Sequence, residues 1–315
     1  MAGMMAETAN DARTERIRLG LCCIFRREPI RFRATTATYL KQFPRAEQLA
    51  KLAKLCQQNC LSLLAALGFV HDNGIGAFRV LSPFFPRFTH PDVGYTLEEL
   101  PEHRKILQAL SQVKQYRDRH DIRLSFHPDQ FIILSSPQLH VVENSIKELE
   151  YQGLLAEYVG AETINMHGGG KYDDKDLALR RFMNNFHRLS PRVTNRLTLE
   201  NDDRIYTVRD LIPICKRLGI PMVYDVHHHR CNPDGLSVEQ ATDLALQTWN
   251  ETGREPYFHL SSPKNGWRAG RPEAHADYID PADFPECWKN LRITVDIEAK
   301  AKELAVLALK RALNI

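Results

Sequence analysis

Nowhere in its 315 residues does the chain hold an apolar run long enough to cross a bilayer, and its mean hydropathy is −0.38; a helical membrane protein is excluded. Disulfide patterning is missing as well. The seven cysteines (Cys22, Cys23, Cys56, Cys60, Cys215, Cys231 and Cys287) are odd in number and form no CxxC pair, so reduced thiols are expected. Cys56 and Cys60 stand one helical turn apart and read as buried small hydrophobes. No GxGxxG follows the first apolar run, which removes the fingerprint of a dinucleotide site and any expectation of a nucleotide cofactor. The opening segment MAGMMAETANDARTE has acidic residues and no apolar centre, unlike a secretory signal; residues 1–16 are read as a flexible tail and the protein as cytoplasmic. No linker or low-complexity segment divides the rest of the chain, so residues 17–315 are expected to form one domain.

Net charge is also scarce. A formal +3 is a weak pull toward polyanions, and the placement of the cations matters more. Arginines cluster in RRE and RFR between 26 and 33, and Lys264, Arg268 and Arg271 share a glycine-containing loop.

Runs of β-branched and apolar residues bounded by turn signals occur at 17–24, 77–82, 123–127, 163–167, 197–200, 221–226, 257–260 and 292–298. Segments with helical periodicity lie between them, at 46–69, 97–118, 141–160, 175–189, 207–219, 237–252 and, more weakly, 281–289, with 298–313 following the last run. Eight alternations of strand and helix predict a closed parallel (β/α)8 barrel, the TIM fold, as a single domain.

Active sites of such barrels assemble where the strands end at their carboxyl side. Here the third run ends in His127, the fourth in His167, the fifth in Glu200, the sixth in Asp225 followed by His227, His228 and His229, the seventh in His259 and the eighth in Glu298. Residues two apart share a face of a strand. Ser125 and His127, Asn165 and His167, Thr198 and Glu200, Tyr257 and His259, and Asp296 and Glu298 therefore form a polar series facing the barrel axis, while their neighbours are apolar and suit the helical layer. Carboxylates and imidazoles converging from separate strands at one height repel or strand one another unless cations lie between them, so divalent metal ions are expected. The glycines at 168–170 would let backbone approach a ligand closely, although a plain turn uses them too.

The motifs RLGLCCIF, FRVLSPFFP, SFHPDQF, NMHGGGKYD, LTLENDD, YDVHHH, HLSSPK, HADYI and VDIEAKAKE, spread over about residues 17 to 310, resemble the UV damage endonuclease family, which is related to the endonuclease IV barrel. The resemblance implies three divalent ions, manganese foremost with zinc, magnesium or cobalt as alternatives. One would take His127, His167 and Glu200; a second would share Glu200 and add Asp225, His259 and Glu298; a third would use His228 and His275, with Asp277 as a further carboxylate. Local alternation favours His227 over His228 beside Asp225; the resemblance favours His228, which holds if the strand has already ended. Incision 5′ of ultraviolet photoproducts in double-stranded DNA, leaving a 3′-hydroxyl and a 5′-phosphate, is the activity implied, with Glu200, His228 and Lys171 as catalytic residues; a monomer is the default expectation. Gln130 and Phe131 would invade the duplex, and His90, Lys264 and Arg268 would hold DNA. Phe131 has a plainer reading, as the start of a buried run FIIL. Two departures from the family bear on substrate: Tyr257 stands where a modified lysine is common, and Leu21 and Phe25 where a tyrosine and an asparagine are common. An abasic-site nuclease and a metal-dependent sugar isomerase or epimerase are the rival functions on this fold.

Overall fold

In the computed structural model, which describes residues 17–172 and 174–315, eight parallel strands close into a barrel in chain order. The strands are β1 (Ile17–Cys22), β2 (Ala77–Val80), β3 (Arg123–Phe126), β4 (Thr163–His167), β5 (Leu197–Glu200), β6 (Met222–Asp225), β7 (Tyr257–Leu260) and β8 (Ile293–Ile297). Closure is made by β1 against β8, with Ile17 opposite Ile293 and Gly20 opposite Asp296. The helices are α1 (Ala37–Leu40), α2 (Arg45–Asp72), α3 (His103–Arg119), α4 (Leu139–Val159), α5 (Lys175–Phe186), α6 (Pro191–Thr194), α7 (Val208–Leu218), α8 (Val226–Cys231), α9 (Val238–Gln247) and α10 (Glu303–Leu313). The expected flexible tail, 1–16, lies outside the described residues.

Three of the differences between the helix boundaries and the sequence expectation have a plain local reason. The segment predicted from 97 becomes helical only at His103, because Pro101 lacks an amide donor and Glu102 turns left-handed (φ 56°). The segment at 281–289 forms two short 3-10 turns, Pro281–Asp283 and Glu286–Trp288, interrupted by Pro285. The last helix starts at Glu303, not 298, since Lys302 has positive φ (55°). Glu303 is buried there, and its carboxylate accepts the backbone N–H groups of Arg26, Arg27 and Glu28 at 2.8, 2.6 and 3.2 Å, tying the basic segment after β1 to the last helix.

The main core lies between strands and helices: Leu124, Phe126, Ile164, Leu197, Leu199, Phe258 and Val295 are buried among apolar side chains of the helical layer. All seven cysteines are free, with Cys56 and Cys60 buried on α2. The barrel axis is unusually polar. Arg79, Arg123, Ser125, Thr163, Asn165, Thr198, Glu200, Tyr257, His259, Thr294 and Asp296 are all buried. Arg123 lies 4.1 Å over the Tyr257 ring and donates to Thr294 Oγ1 (2.7 Å), which puts a cation–π pair in the barrel floor below the strand ends. Polar groups enclosed in this way persist only when paired.

One glycine makes the packing possible. A Cβ on Gly20 would collide with Asp296 Oδ1 and sit 3.3 Å from Asp296 Cα, so β1 must lack a side chain where β8 turns a carboxylate inward. Gly20→Ala should therefore destabilise the fold by about 1–3 kcal/mol, the range of core overpacking, read from the urea unfolding midpoint; an unchanged midpoint would contradict this packing.

Candidate metal centre

The ends of β3 to β8 bring their polar residues to one height around Glu200. Its carboxylate is fully buried. Oε2 lies 3.1 Å from His127 Nε2 and 3.9 Å from His167 Nε2, and Oε1 lies 3.0 Å from His259 Nδ1 and 3.3 Å from His228 Nδ1. Asn165, two residues below His167 on β4, donates its side-chain amide to the same carboxylate and accepts from Thr198 Oγ1 (2.9 Å). Four imidazoles from four loops or strand ends thus converge on one anion.

Backbone carbonyls decide which imidazole nitrogens remain available. His127 Nδ1 is 3.0 Å from Pro128 O, and His228 Nδ1 is 3.0 Å from Asn201 O. A carbonyl only accepts, so each Nδ1 carries the proton and each Nε2 keeps a lone pair in the neutral ring. His127 Nε2 faces Glu200 Oε2 at 3.1 Å: a charged ring donates a second hydrogen bond there, and in a neutral ring the two lone pairs are opposed and a cation between or beside them relieves the repulsion. Two sets of donor atoms, one from His127, Glu200 and His259 and one from His167, Glu200 and His228, each lie within 4.8 Å of one another. Buried atoms without a protein partner include His167 Nδ1, Glu200 Oε1, Asp225 Oδ2 and His259 Nδ1. Nitrogen and oxygen donors of this kind, unpaired and enclosed, fit borderline to hard divalent cations such as manganese or zinc.

The last residue of β6, Asp225, also begins α8: Oδ1 accepts the His228 backbone N–H at 2.8 Å. Strand alternation therefore stops at Asp225, and helical spacing brings His228, three residues on, back beside the carboxylate, with Nδ1 3.6 Å from Asp225 Oδ2. This is why counting by twos favoured His227. His227 is instead fully buried beside Trp267 and His275, with ring centroids 5.1 and 5.2 Å away. His229 points elsewhere, bound to the Tyr224 hydroxyl (2.6 Å) and near Asp234 (3.3 Å). His275 approaches the centre from the loop after β7, with Nδ1 3.8 Å from Glu298 Oε2, whereas Asp277 is exposed.

The structure also brings in groups that were not singled out as ligands or site residues. Arg79 on β2 donates to Asp296 Oδ2 (3.1 Å), Glu298 Oε1 (2.6 Å) and His259 Nε2 (2.8 Å). The signal was available: Arg79 is two residues from the inward Ala77, and a charged residue on an inward strand position demands opposite charges. Asn201 had no such signal. It clamps β5 to β6 through both backbone groups of Asp225, donating to the carbonyl (2.8 Å) and accepting from the amide (3.0 Å).

The remaining sequence candidates lie on loops. Phe131 is 71% exposed and Gln130 is exposed, whereas the run FIIL turns inward after its first residue, with Ile132 packed against the core and Leu134 fully buried. Lys171, Lys264 and Arg268 are exposed, and Lys264 N–H donates to Ala274 O beside the single bridge between Pro263 and His275, which holds the basic loop against the rim. His90 stands apart, lining a separate cavity of about 390 Å³ with Thr89, Glu148 and Tyr151, its Nδ1 accepting from the Asp92 amide (3.1 Å). The glycine run packs on protein: Gly168 O accepts from Ser135 Oγ (2.8 Å), and a Cβ on Gly168 would meet the Tyr206 ring at 2.7 Å. Tyr257 lies in the barrel floor, two residues below His259, with its hydroxyl buried and unpartnered and its pKa raised by burial. Leu21 and Phe25 are buried in the core.

Electrostatics follow the geometry. Burial resists charge on Glu200, but His259 and His167 hold its pKa well below the usual carboxylate range; for Glu298, Arg79 and then His259 outweigh burial in the same direction. Burial lowers the His167 pKa, against the pull of Glu200, which raises it. A carboxyl with a depressed native pKa contributes stability that is complete above its unfolded value and lost as pH falls through the native one. Ion-free protein should thus lose stability progressively below about pH 4.5, and Glu298→Gln should flatten that loss, measured as urea midpoint against pH. A variant that loses stability as steeply as the parent would contradict the assignment.

Comparison with known proteins adds the family. The model of the family described as UV-endonuclease UvdE matches residues 17–315. A UV DNA damage endonuclease of Bacillus velezensis is 34% identical over 293 residues, 89% of each chain. The crystal structure of SacUVDE superposes with a TM-score of 0.83 at 26% identity, covering 95% of this chain and 98% of that one. Endonuclease IV from Thermus thermophilus shares the fold, with a TM-score of 0.58 at 14% identity over 94% and 97% of the two chains.

Proposed function

The chain belongs to the UV-endonuclease family and is a nuclease that hydrolyses DNA, and on that premise we propose that it incises double-stranded DNA immediately 5′ of ultraviolet photoproducts. The cut would leave a 3′-hydroxyl and a 5′-phosphate. The observation that carries this reading is Glu200, buried between His127, His167, His228 and His259 with its charge retained.

Divalent ions, with manganese foremost and three as the resemblance implies, would be held by His127, His167, Glu200, Asp225, His228, His259, His275 and Glu298. When bound they would acidify water and neutralise charge on the phosphodiester and its leaving oxygen. The chain's own contribution is orientation. Pro128 and Asn201 carbonyls fix the His127 and His228 tautomers, and Asn165 holds the Glu200 carboxylate. Lys171, exposed on the loop after β4, would take a phosphate oxygen near the reacting centre, and Lys264 and Arg268 would neutralise neighbouring phosphates, making affinity salt-dependent. His90, in its separate cavity, would meet only more distant backbone. The proposed setting is the cytoplasm, at the nucleoid in a bacterial cell, with the protein acting as a monomer without a nucleotide cofactor.

Gln130 and Phe131 would enter the duplex and fill the space of extruded bases. An exposed ring on a loop beside the centre can stack on a base for about 1–3 kcal/mol, offsetting part of the unpairing cost. With Leu21 and Phe25 buried, lesion contacts from the first loop fall to the residues that follow β1, of which Ile24 is 45% exposed.

Supercoiled plasmid with manganese separates the alternatives. Nicking only after ultraviolet irradiation supports the proposal, nicking of abasic plasmid alone makes the protein an endonuclease IV-like enzyme, and nicking of neither overturns the nuclease assignment of this centre. Glu200→Gln should reduce incision at least a thousandfold while the circular dichroism spectrum is unchanged, because it removes the anion on which four imidazoles converge. Phe131→Ala should lower the preference for irradiated over intact duplex about tenfold while sparing cleavage at a preformed bulge, which already supplies the distortion; equal loss on both substrates would count against insertion of the ring.

A further inference from the structure

The guanidinium of Arg79 stands where two of the proposed ligands would need to face an ion. It donates to Glu298 Oε1 at 2.6 Å and to His259 Nε2 at 2.8 Å, with Nε on Asp296 Oδ2 at 3.1 Å. A guanidinium has donors only, so His259 Nε2 must be unprotonated and its proton must sit on Nδ1, the nitrogen 3.0 Å from Glu200 Oε1. With a proton on Nε2, the ring N–H and the guanidinium would be two donors face to face at 2.8 Å.

We propose that Arg79 is a placeholder cation, neutralising Glu298 and Asp296 in the ion-free centre and withdrawing when His259 and Glu298 take up a divalent ion, so that ions load in two affinity classes. The inference rests on the metal-dependent reading above. For His259 to offer an Nδ1 lone pair, the proton there must be given up and one gained at Nε2, with no net change. Nε2–H then needs an acceptor in place of Arg79, and Asp296 Oδ2, 3.9 Å away, is available once Arg79 Nε releases it. The result is a carboxylate supporting a ligating imidazole, the usual outer partner of a metal-bound histidine. Asp296 Oδ1 is buried without a partner, so this carboxylate has spare accepting capacity. Arg79 has room to leave: it lines a cavity of about 530 Å³ with Cys22, Cys23, His275 and Lys302 that opens beside Glu298. Among the described residues no guanidinium touches the donors at His127 and His167, which would load first.

The test is Mn2+ titration of the chelator-stripped, full-length protein, counting free Mn2+ by electron paramagnetic resonance, a readout independent of catalysis. The wild type should show a tight and a weak class. Arg79→Met should tighten the weak class by about tenfold, the scale on which outer partners tune metal affinity, while Arg79→Lys, which keeps the charge, stays weak. A single class in the wild type, or a weak class unchanged or weakened by Arg79→Met, would overturn the proposal and leave the metal-dependent reading standing. No uptake by the wild type would overturn both. Should Arg79→Met not fold, the imidazole 15N spectrum of stripped wild-type protein, with His259 assigned through His259→Gln, decides independently. The Nδ1–H tautomer supports the placeholder and the Nε2–H tautomer refutes it.

Discussion

One buried carboxylate organises the molecule. Glu200 closes β5 with no exposure to solvent, and a charge there is tolerated only because imidazoles from β4, β7, the loop after β3 and the start of α8 surround it. Two of those imidazoles are in turn aimed by backbone, the Pro128 carbonyl for His127 and the Asn201 carbonyl for His228, while His259 meets the Arg79 guanidinium. A barrel is suited to this because strand register sets the height at which each side chain arrives, and His167 opposite Glu200 and Asp225 opposite His259 are matched by strand pairing alone.

Below that layer the axis is filled by a second set of charges. Arg79 meets Asp296, which Gly20 makes room for, and Arg123 covers Tyr257 and reaches Thr294. Tyr257 takes the position where the resemblance leads one to look for a modified lysine. A phenol held neutral by burial adds neither a positive charge nor an anionic ligand, so the charge balance of the centre is left to its carboxylates and to Arg79. The outer face has a different logic. Phe131 and the cations of the loop after β7 are exposed, with few partners, as groups that meet a ligand must be.

Much of this was legible in the sequence because the two periods involved are strict. Runs of β-branched and apolar residues locate every strand to within two residues, and their ends point to His127, His167, Glu200, Asp225, His259 and Glu298. Failure came where the period changed. At Asp225 the chain passes from strand to helix without a turn residue, so counting by twos favours His227 whereas helical spacing sets His228 beside the carboxylate. Proline and positive-φ residues at 101, 102, 285 and 302 cut helices shorter than their apolar pattern. Asn201 and the glycine run were illegible for another reason: what they contact depends on tertiary neighbours, the Asp225 backbone and Tyr206, that no local pattern encodes.

The central claim is that these side chains form a cage for divalent ions. A crystal grown with manganese and measured at its absorption edge tests it most directly. Anomalous peaks within about 2.0–2.4 Å of a Glu200 oxygen and of the His127 or His228 Nε2 nitrogen are predicted. A map with no peak in the barrel mouth, or with manganese bound only to surface carboxylates, would contradict the account.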